Sequence, residues 1–290
     1  MILLLVLLII LLPLPAFAFG PFAHVDMGLA VLAQASAIGT VTASIIQRHR
    51  KAFLRSTVDP DRMLAKNMAP FEHHTHNWDR VLDLLDNAST DEEKAAFMGQ
   101  LCHLAADVVA HNYFVPTKMT ESFYFPMAKH LYWEMRFDSR TRAKGGSLLF
   151  DTLQWCEPDH VRFLSTVLKP SVLTGNFNVK VTGKLMDWQQ QKAFDTVGNF
   201  WDQHARTELS EDDFDDIRNL AIQAQVAALS EVGHGLVYEI DPRGLEPLKR
   251  SLFLRREMRE LRKDMSWLSI INRIQESRSE FRYPVESAVW

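Results

Sequence analysis

The chain has 290 residues, of which 47% are hydrophobic and 23% charged, and this balance excludes an intrinsically disordered protein. Its net charge of −4 argues against a protein that holds nucleic acid mainly through a basic surface. Two cysteines, Cys102 and Cys156, form at most one bridge and exclude a disulfide-rich scaffold. Histidine has the unusual distribution. Of the eleven histidines, six lie between residues 73 and 130, at His73, His74, His76, His103, His111 and His130, and a seventh, His24, lies near the start of the chain.

The first 18 residues read as a secretory signal. An unbroken aliphatic run covers residues 2–12, and two prolines and an Ala16-Phe17-Ala18 site follow it. Eleven residues make a helix of roughly 16 Å, about half of a bilayer core. We therefore expect cleavage before Phe19 and export to the periplasm or beyond the cell. The alternative is a retained membrane anchor.

The rest of the chain predicts helices, because no segment alternates polar and apolar residues long enough for a sheet. Helices are expected over residues 25–37, 79–86, 127–137, 187–206, 210–231 and 245–280, and from a Ser89-Thr90-Asp91 start to Val108. Loops are expected at Gly145-Gly146, residues 175–183 and Gly233-His234-Gly235. The expected fold is all-α, with one domain over residues 19–240 and a C-terminal helical extension over 241–290.

The strongest chemical signal is the stripe His103-x3-Asp107-x3-His111. Residues four apart share one face of a helix, so the three side chains form a line about 12 Å long. Every residue between them is Leu, Ala or Val, which predicts a buried helix. Buried charges need partners, and Zn²⁺ suits imidazole and carboxylate ligands. Asp107 would then bridge two ions. The alternative is a buried hydrogen-bond network without metal.

Four weaker signals accompany the stripe. Each has an ordinary structural explanation alone, but together they favour a metal centre within the first 120 residues after the signal. They are the i, i+4 pair His130 and Glu134, the histidine cluster at 73, 74 and 76, the Asp59-Pro60-Asp61 turn, and His24 shortly after the expected cleavage site.

As a set, these motifs resemble the zinc-dependent phospholipase C family. That family includes bacterial phosphatidylcholine-hydrolysing enzymes and the N-terminal domain of glycosylphosphatidylinositol-specific phospholipase D, and fungal single-strand nucleases form a sister family with the same helical fold. The likeness covers residue 19 to about residue 140. The four-residue spacing of Asp107 and His111 and the phrase His24-Val-Asp-Met-Gly look nearest to the phospholipase D-like branch.

The resemblance implies three zinc ions and a set of ligands. By this likeness the ligands are Phe19 (through its amine and carbonyl), His24, Asp61, His76, His103, Asp107, His111, His130 and Glu134. It also implies that Asp61 orients or deprotonates the water that attacks phosphorus, which makes Asp61 the expected catalytic residue. His74 in place of His76, and Asp59 in place of Asp61, remain open.

The implied substrate is a phospholipid head-group phosphodiester presented at a membrane or micelle surface to a monomeric enzyme. No stable nucleic acid partner is expected. The alternatives are a single-strand nuclease or phosphomonoesterase with the same metal ions, and a zinc-binding protein without activity. A segment over residues 249–263, with seven basic and two acidic residues among apolar ones, is either a peripheral contact with anionic lipid or a solvated helix face.

Overall fold

The computed structural model describes residues 19–62, 76–126, 128–154 and 208–281. These parts contain α-helices, short 3₁₀ turns and one π-helical turn but no strand, so the all-α prediction is confirmed. The helices are α1 (Pro21–Ala33), α2 (Thr40–Arg48), α3 (Arg50–Ser56), α4 (Trp78–Asp86), α5 (Asp91–Val109), α6 (Val115–Glu121), α7 (His130–Gln154), α8 (Glu211–Ser230), α9 (Leu245–Leu261) and α10 (Trp267–Arg278). Among the described helices, none has the length and hydropathy needed to cross a bilayer.

The sequence predicted the N-termini of helices most accurately where a capping residue is present. Thr90 caps α5 in a reciprocal capping box with Glu93, and the Ser210 hydroxyl accepts a hydrogen bond from the amide of Asp213 at the start of α8. Other bounds differ from the prediction. The helix expected over 25–37 begins at Pro21, a residue suited to the first helical turn, and ends at Ala33.

Three further predictions about element bounds differ from the structure. The loop predicted at Gly145 and Gly146 is a break of one residue: α7 continues on both sides, but Gly146 has non-helical φ of 57° and ψ of −141°. The helix expected over 245–280 is two helices, because the chain turns between Leu261 and Trp267. The helix predicted to begin at residue 127 begins at His130. The signal and the predicted helix at 187–206 lie outside the described residues.

Helix α5 is the centre of the fold. Every residue from Ala95 to Val109 is buried, and α3, α4 and α8 pack around it. Gly99 allows α3 to approach closely, since a β-carbon there would lie 2.2 Å from the carbonyl oxygen of Phe53. This central position carries the polar side chains of α5 into the interior.

The C-terminal helices pack on the part of the chain that leads into α7. The guanidinium of buried Arg255, on α9, donates hydrogen bonds to the carbonyl oxygens of Phe125 (2.8 Å), Ala128 (2.7 Å) and Ser122 (3.2 Å), and also to that of Met119. One side chain thereby fixes the loop between α6 and α7. The division at residue 240 stays a prediction, and these contacts cross it.

Candidate metal centre

His103 and Asp107 lie one turn apart on α5, and both are fully buried. The Nδ1 atom of His103 donates a hydrogen bond to the carbonyl oxygen of Thr57 at 2.8 Å. A carbonyl only accepts, so this bond places the proton on Nδ1 and leaves the lone pair on Nε2. That nitrogen lies 3.3 Å from an oxygen of Asp107. The carbonyl has the role that outer partners of ligand histidines have at metal sites.

The first group of candidate ligands is Asp61, His76 and His103, with Asp107 beside them. His76 Nε2 lies 3.3 Å from Asp61 Oδ1, 3.1 Å from Asp107 Oδ2 and 3.2 Å from His103 Nε2. Ligand atoms of tetrahedral zinc, each about 2.0–2.1 Å from the ion, lie about 3.3 Å apart. The observed spacings, with 3.9 Å between His103 and Asp61, therefore fit a zinc ion.

The second group is His24, His103 and Asp107. Asp107 Oδ1 lies 3.5 Å from Nε2 of His24, whose ring stacks on that of His103 with 4.0 Å between centroids. Within the described residues, no hydrogen bond reaches either ring nitrogen of His24, and the ring nitrogens of His24, His76 and His103 lie within 3.5 Å of the buried carboxylate of Asp107. Such buried atoms are costly without a partner, and a cation between them would satisfy both residues.

The protonation states of His24 and Asp107 suit a metal ion. Burial lowers the pKa of His24 to about 3, so its ring is neutral and keeps a lone pair. Burial alone would raise the pKa of Asp107, but His103 and His76 outweigh it and hold this pKa well below its usual range. His24 is therefore a neutral imidazole beside an ionised carboxylate, which are the forms that bind zinc. Burial lowers the pKa of His103, but Asp107 and Asp61 outweigh it and raise this pKa above its usual value, so zinc would bind there by displacing a proton.

The third group is His111, His130 and Glu134. Glu134 Oε1 lies 2.5 Å from Nε2 of His130 and 3.7 Å from Nε2 of His111. His111 donates from Nδ1 to the carbonyl oxygen of Pro242 at 2.6 Å, so its Nε2 is again the free lone pair. The supporting carbonyl comes from the segment just before α9.

The stripe of His103, Asp107 and His111 that the sequence predicted on one helix face is therefore split between separate groups of candidate ligands. After Asp107 the chain enters a π-helical turn, Ala110–Phe114, and His111 joins α7 instead of its neighbours on α5. That Asp107 bridges two ions stays a prediction, but His111 is not in either of the two groups that Asp107 faces. The two oxygens of Asp107 face His24 on one side and His76 with His103 on the other.

The structure also bears on the alternative ligands that the sequence left open, because it shows which side chains lie beside the other candidate ligands. Asp61, not Asp59, lies among the candidate ligands, while Asp59 accepts a hydrogen bond from the hydroxyl of Ser56 at 3.0 Å. His76 reaches the site, and His74 lies outside the described residues. The ring of Phe19 is buried, 6.1 Å from that of His24, which puts the expected first residue beside the second group. Ligation by its backbone stays a prediction.

The sequence reasoning missed Asp138. This buried carboxylate lies one turn after Glu134, and its Oδ1 accepts a hydrogen bond from the amide of Ala23 at 2.8 Å. Burial raises the pKa of Asp138 to about 7 despite the amides of Ala23 and Phe22. It thereby ties α7, which carries the third group, to the first turn of α1, which carries His24. The spacing of 130, 134 and 138 repeats the stripe on α5 and was available as a signal.

Because Asp138 lies against the start of α1, we expect any side chain at position 20 to destabilise the protein. A β-carbon there would lie 2.1 Å from Cγ of Asp138, although φ of −75° suits any residue. We expect Gly20→Ala to lower the free energy of unfolding by about 1–3 kcal/mol. Gly39→Ala is the matched control, because it also precedes a helix but has open space around it, and should change stability by less than about 0.5 kcal/mol. Denaturant unfolding compares the two, and equal stabilities would show that Asp138 simply moves aside.

Comparison with known proteins adds one finding. The family model for zinc-dependent phospholipase C matches residues 23–181, which is more than half of the chain and includes every candidate ligand except Phe19. No curated protein matched, and no solved structure matched. The match and the buried histidine and carboxylate groups agree with the likeness seen in the motifs. The chain belongs to the zinc-dependent phospholipase C family.

Proposed function

We propose that this protein is an exported zinc-dependent phosphodiesterase that hydrolyses head-group phosphodiesters of phospholipids with three zinc ions. The observation that carries the proposal is the convergence of eight buried or half-buried His, Asp and Glu side chains from separate parts of the chain into three groups, two of which share His103. Helices α1, α5 and α7, the π-helical turn, and the segments before and after the gap at 63–75 all contribute. Membership of the family supports the zinc and the hydrolytic reaction.

In this proposal most of the eight side chains hold metal ions, and one of them also accepts a proton. Zinc bound in the three groups supplies Lewis acidity toward phosphate oxygens and lowers the pKa of water. Asp107 holds the first two groups together, because its oxygens face both. Asp61 lies at the edge of the first group, 3.3 Å from His76, and takes the proton of the attacking water. A carboxylate so placed serves as a base while it also helps to hold metal.

Two parts of the proposal concern the mature chain. Removal of residues 1–18 would free the amine of Phe19 beside His24, as the family likeness implies. The enzyme would act as a monomer on lipid at a membrane or micelle surface. The first statement rests on the sequence and on the position of Phe19, and the second on the family likeness.

The test combines metal analysis with a substrate panel. Elemental analysis of the purified mature protein should give about three zinc ions per chain, one for each group of ligands. The same protein should release head groups from phospholipids, with turnover that rises steeply when lipid passes from monomers to micelles, and should cleave single-stranded DNA little.

Each other result selects a different function. Robust DNA cleavage without lipid product would identify a nuclease, since stacked bases and phosphate contacts would then supply the binding. Full zinc content without turnover of lipid, DNA or a phosphomonoester would identify a zinc-binding protein. One zinc ion or none per chain would contradict the three-ion site.

A further inference from the structure

Exposed apolar side chains are concentrated in the C-terminal helices. Of the nine large hydrophobic residues exposed in the described parts of the chain, six lie within residues 245–268. They are Leu245, Leu252 and Phe253 on α9, Met265 in the turn, and Trp267 and Leu268 at the start of α10, with 43–68% of each side chain exposed. We call these six residues the α9–α10 surface. Such a concentration of exposed apolar residues in one part of a chain is typical of a contact with a partner or a membrane.

Basic residues share the outer face of α9 with this surface. The inner face packs against the fold through Ser251, Leu254, Arg255 and Met258. The exposed positions between Leu245 and Lys263 carry Lys249, Arg256 and Arg259 on the same side as Leu252. Lys249 and Lys263 each pair with a glutamate one turn away. Lys263 lowers the pKa of Glu260, and Arg256 and Arg259 lie near enough to contribute, while Arg259 donates a hydrogen bond to the carbonyl oxygen of Arg255. Neither guanidinium is in direct contact with a carboxylate of the described residues, so both charges face outward beside Leu252.

The surface continues into the segment that leads to the metal centre. The ring of Trp267 lies 6.1 Å from that of Phe123 and 6.4 Å from that of Tyr124, and the guanidinium of Arg262 lies over it at 5.4 Å. Phe123 and Tyr124 belong to the loop that Arg255 fixes, and this loop enters α7 just before His130. Anything that contacts the α9–α10 surface therefore sits next to the chain that supports the third group.

The exposed apolar and basic side chains together indicate what kind of partner the α9–α10 surface contacts. A second copy of the chain would bring two α9 helices of like charge together, since residues 249–263 carry seven basic and two acidic residues, which is unfavourable. An anionic bilayer accepts both features, since its interface takes up Trp, Leu and Phe while its head groups attract Lys and Arg. We propose that the α9–α10 surface docks the protein on anionic lipid bilayers. The inference rests on the proposed function only for its purpose, which is to bring the metal centre to its lipid substrate.

Vesicle flotation tests the docking with two sets of variants. The zinc-loaded protein should bind phosphatidylcholine vesicles that contain phosphatidylserine, with weaker binding at high salt and to vesicles of phosphatidylcholine alone. Leu252→Ser with Phe253→Ser and Leu268→Ser should reduce the partition coefficient at least about tenfold. Arg256→Glu with Arg259→Glu should reduce it by a similar factor.

Matched controls change the same chemistry elsewhere on the surface. Val41→Ser with Leu148→Ser removes two exposed hydrophobic side chains, and Arg48→Glu reverses an exposed charge. These variants should bind vesicles as the unchanged protein does. Equal losses in the controls, or no binding of the unchanged protein to phosphatidylserine vesicles, would overturn the docking surface. So would a dimer in sedimentation velocity that the three serine substitutions dissociate.

A soluble substrate separates this inference from the proposed function. All variants should hydrolyse a short-chain phospholipid below its micelle concentration at the rate of the unchanged protein, because none changes a candidate ligand. Vesicle binding without hydrolysis of any phospholipid would remove the proposed function and leave the docking surface in place. Hydrolysis of the soluble lipid without vesicle binding would do the reverse.

Discussion

Asp107→Asn should release at least two zinc ions and lower phosphodiesterase activity by more than about 100-fold, since changes merely to outer partners of metal ligands cost 10–100-fold. The reason is the position of its oxygens, 3.5 Å from His24 on one side and 3.1 Å from His76 on the other. The amide has nearly the same shape but no negative charge, and only one of its two ends is an acceptor. The first and second groups would therefore lose their shared carboxylate when one of its oxygens is replaced by an amide nitrogen.

Elemental analysis and turnover of a phospholipid measure this result together. Asp212→Asn is the control, because Asp212 is an exposed aspartate in the first turn of α8 and lies outside the three groups. It should keep its zinc and its activity. Full zinc content in Asp107→Asn would show that the buried carboxylate only stabilises the fold, through its interactions with His76 and His103.

Asp61→Asn should lower turnover by about 10²–10⁴-fold, the range by which a positioned proton acceptor accelerates reactions. An amide oxygen can still approach a metal ion, but it takes no proton from water. The loss should therefore exceed the loss of zinc. Turnover per bound zinc, measured on a phospholipid, distinguishes a base from a residue that only helps to hold metal.

Asp59→Asn is the control for this variant, two residues away in the same turn. Asp59 is also buried, yet the structure pairs it with the hydroxyl of Ser56. An asparagine oxygen can accept the same hydrogen bond, so turnover should change little and stability should fall by about 1–2 kcal/mol. The opposite outcome, with turnover lost in Asp59→Asn and kept in Asp61→Asn, would transfer the role of base to Asp59.

The sequence by itself determined which site residues lie together when those residues are close along the chain. The i, i+4 spacings of His103 with Asp107 and of His130 with Glu134 follow from the pitch of one helix, so the sequence alone placed each pair on one face. Local capping chemistry likewise fixed the start of α5 at Thr90. Apolar residues around the stripe predicted its burial, because a helix that is apolar on all sides belongs in the interior.

Only the tertiary structure decided how these pairs combine. His24 and Asp61 reach His103 and Asp107 through the packing of α1 and α3 against their neighbours, and no local pattern encodes contacts across such separations. The π-helical turn directs His111 to α7, although its spacing alone assigned it to the stripe. Asp138 and Arg255 act at a distance in the same way, one on the start of α1 and the other on the loop before α7. Helix periodicity specifies which side chains share a face, and the packing of helices specifies which faces meet.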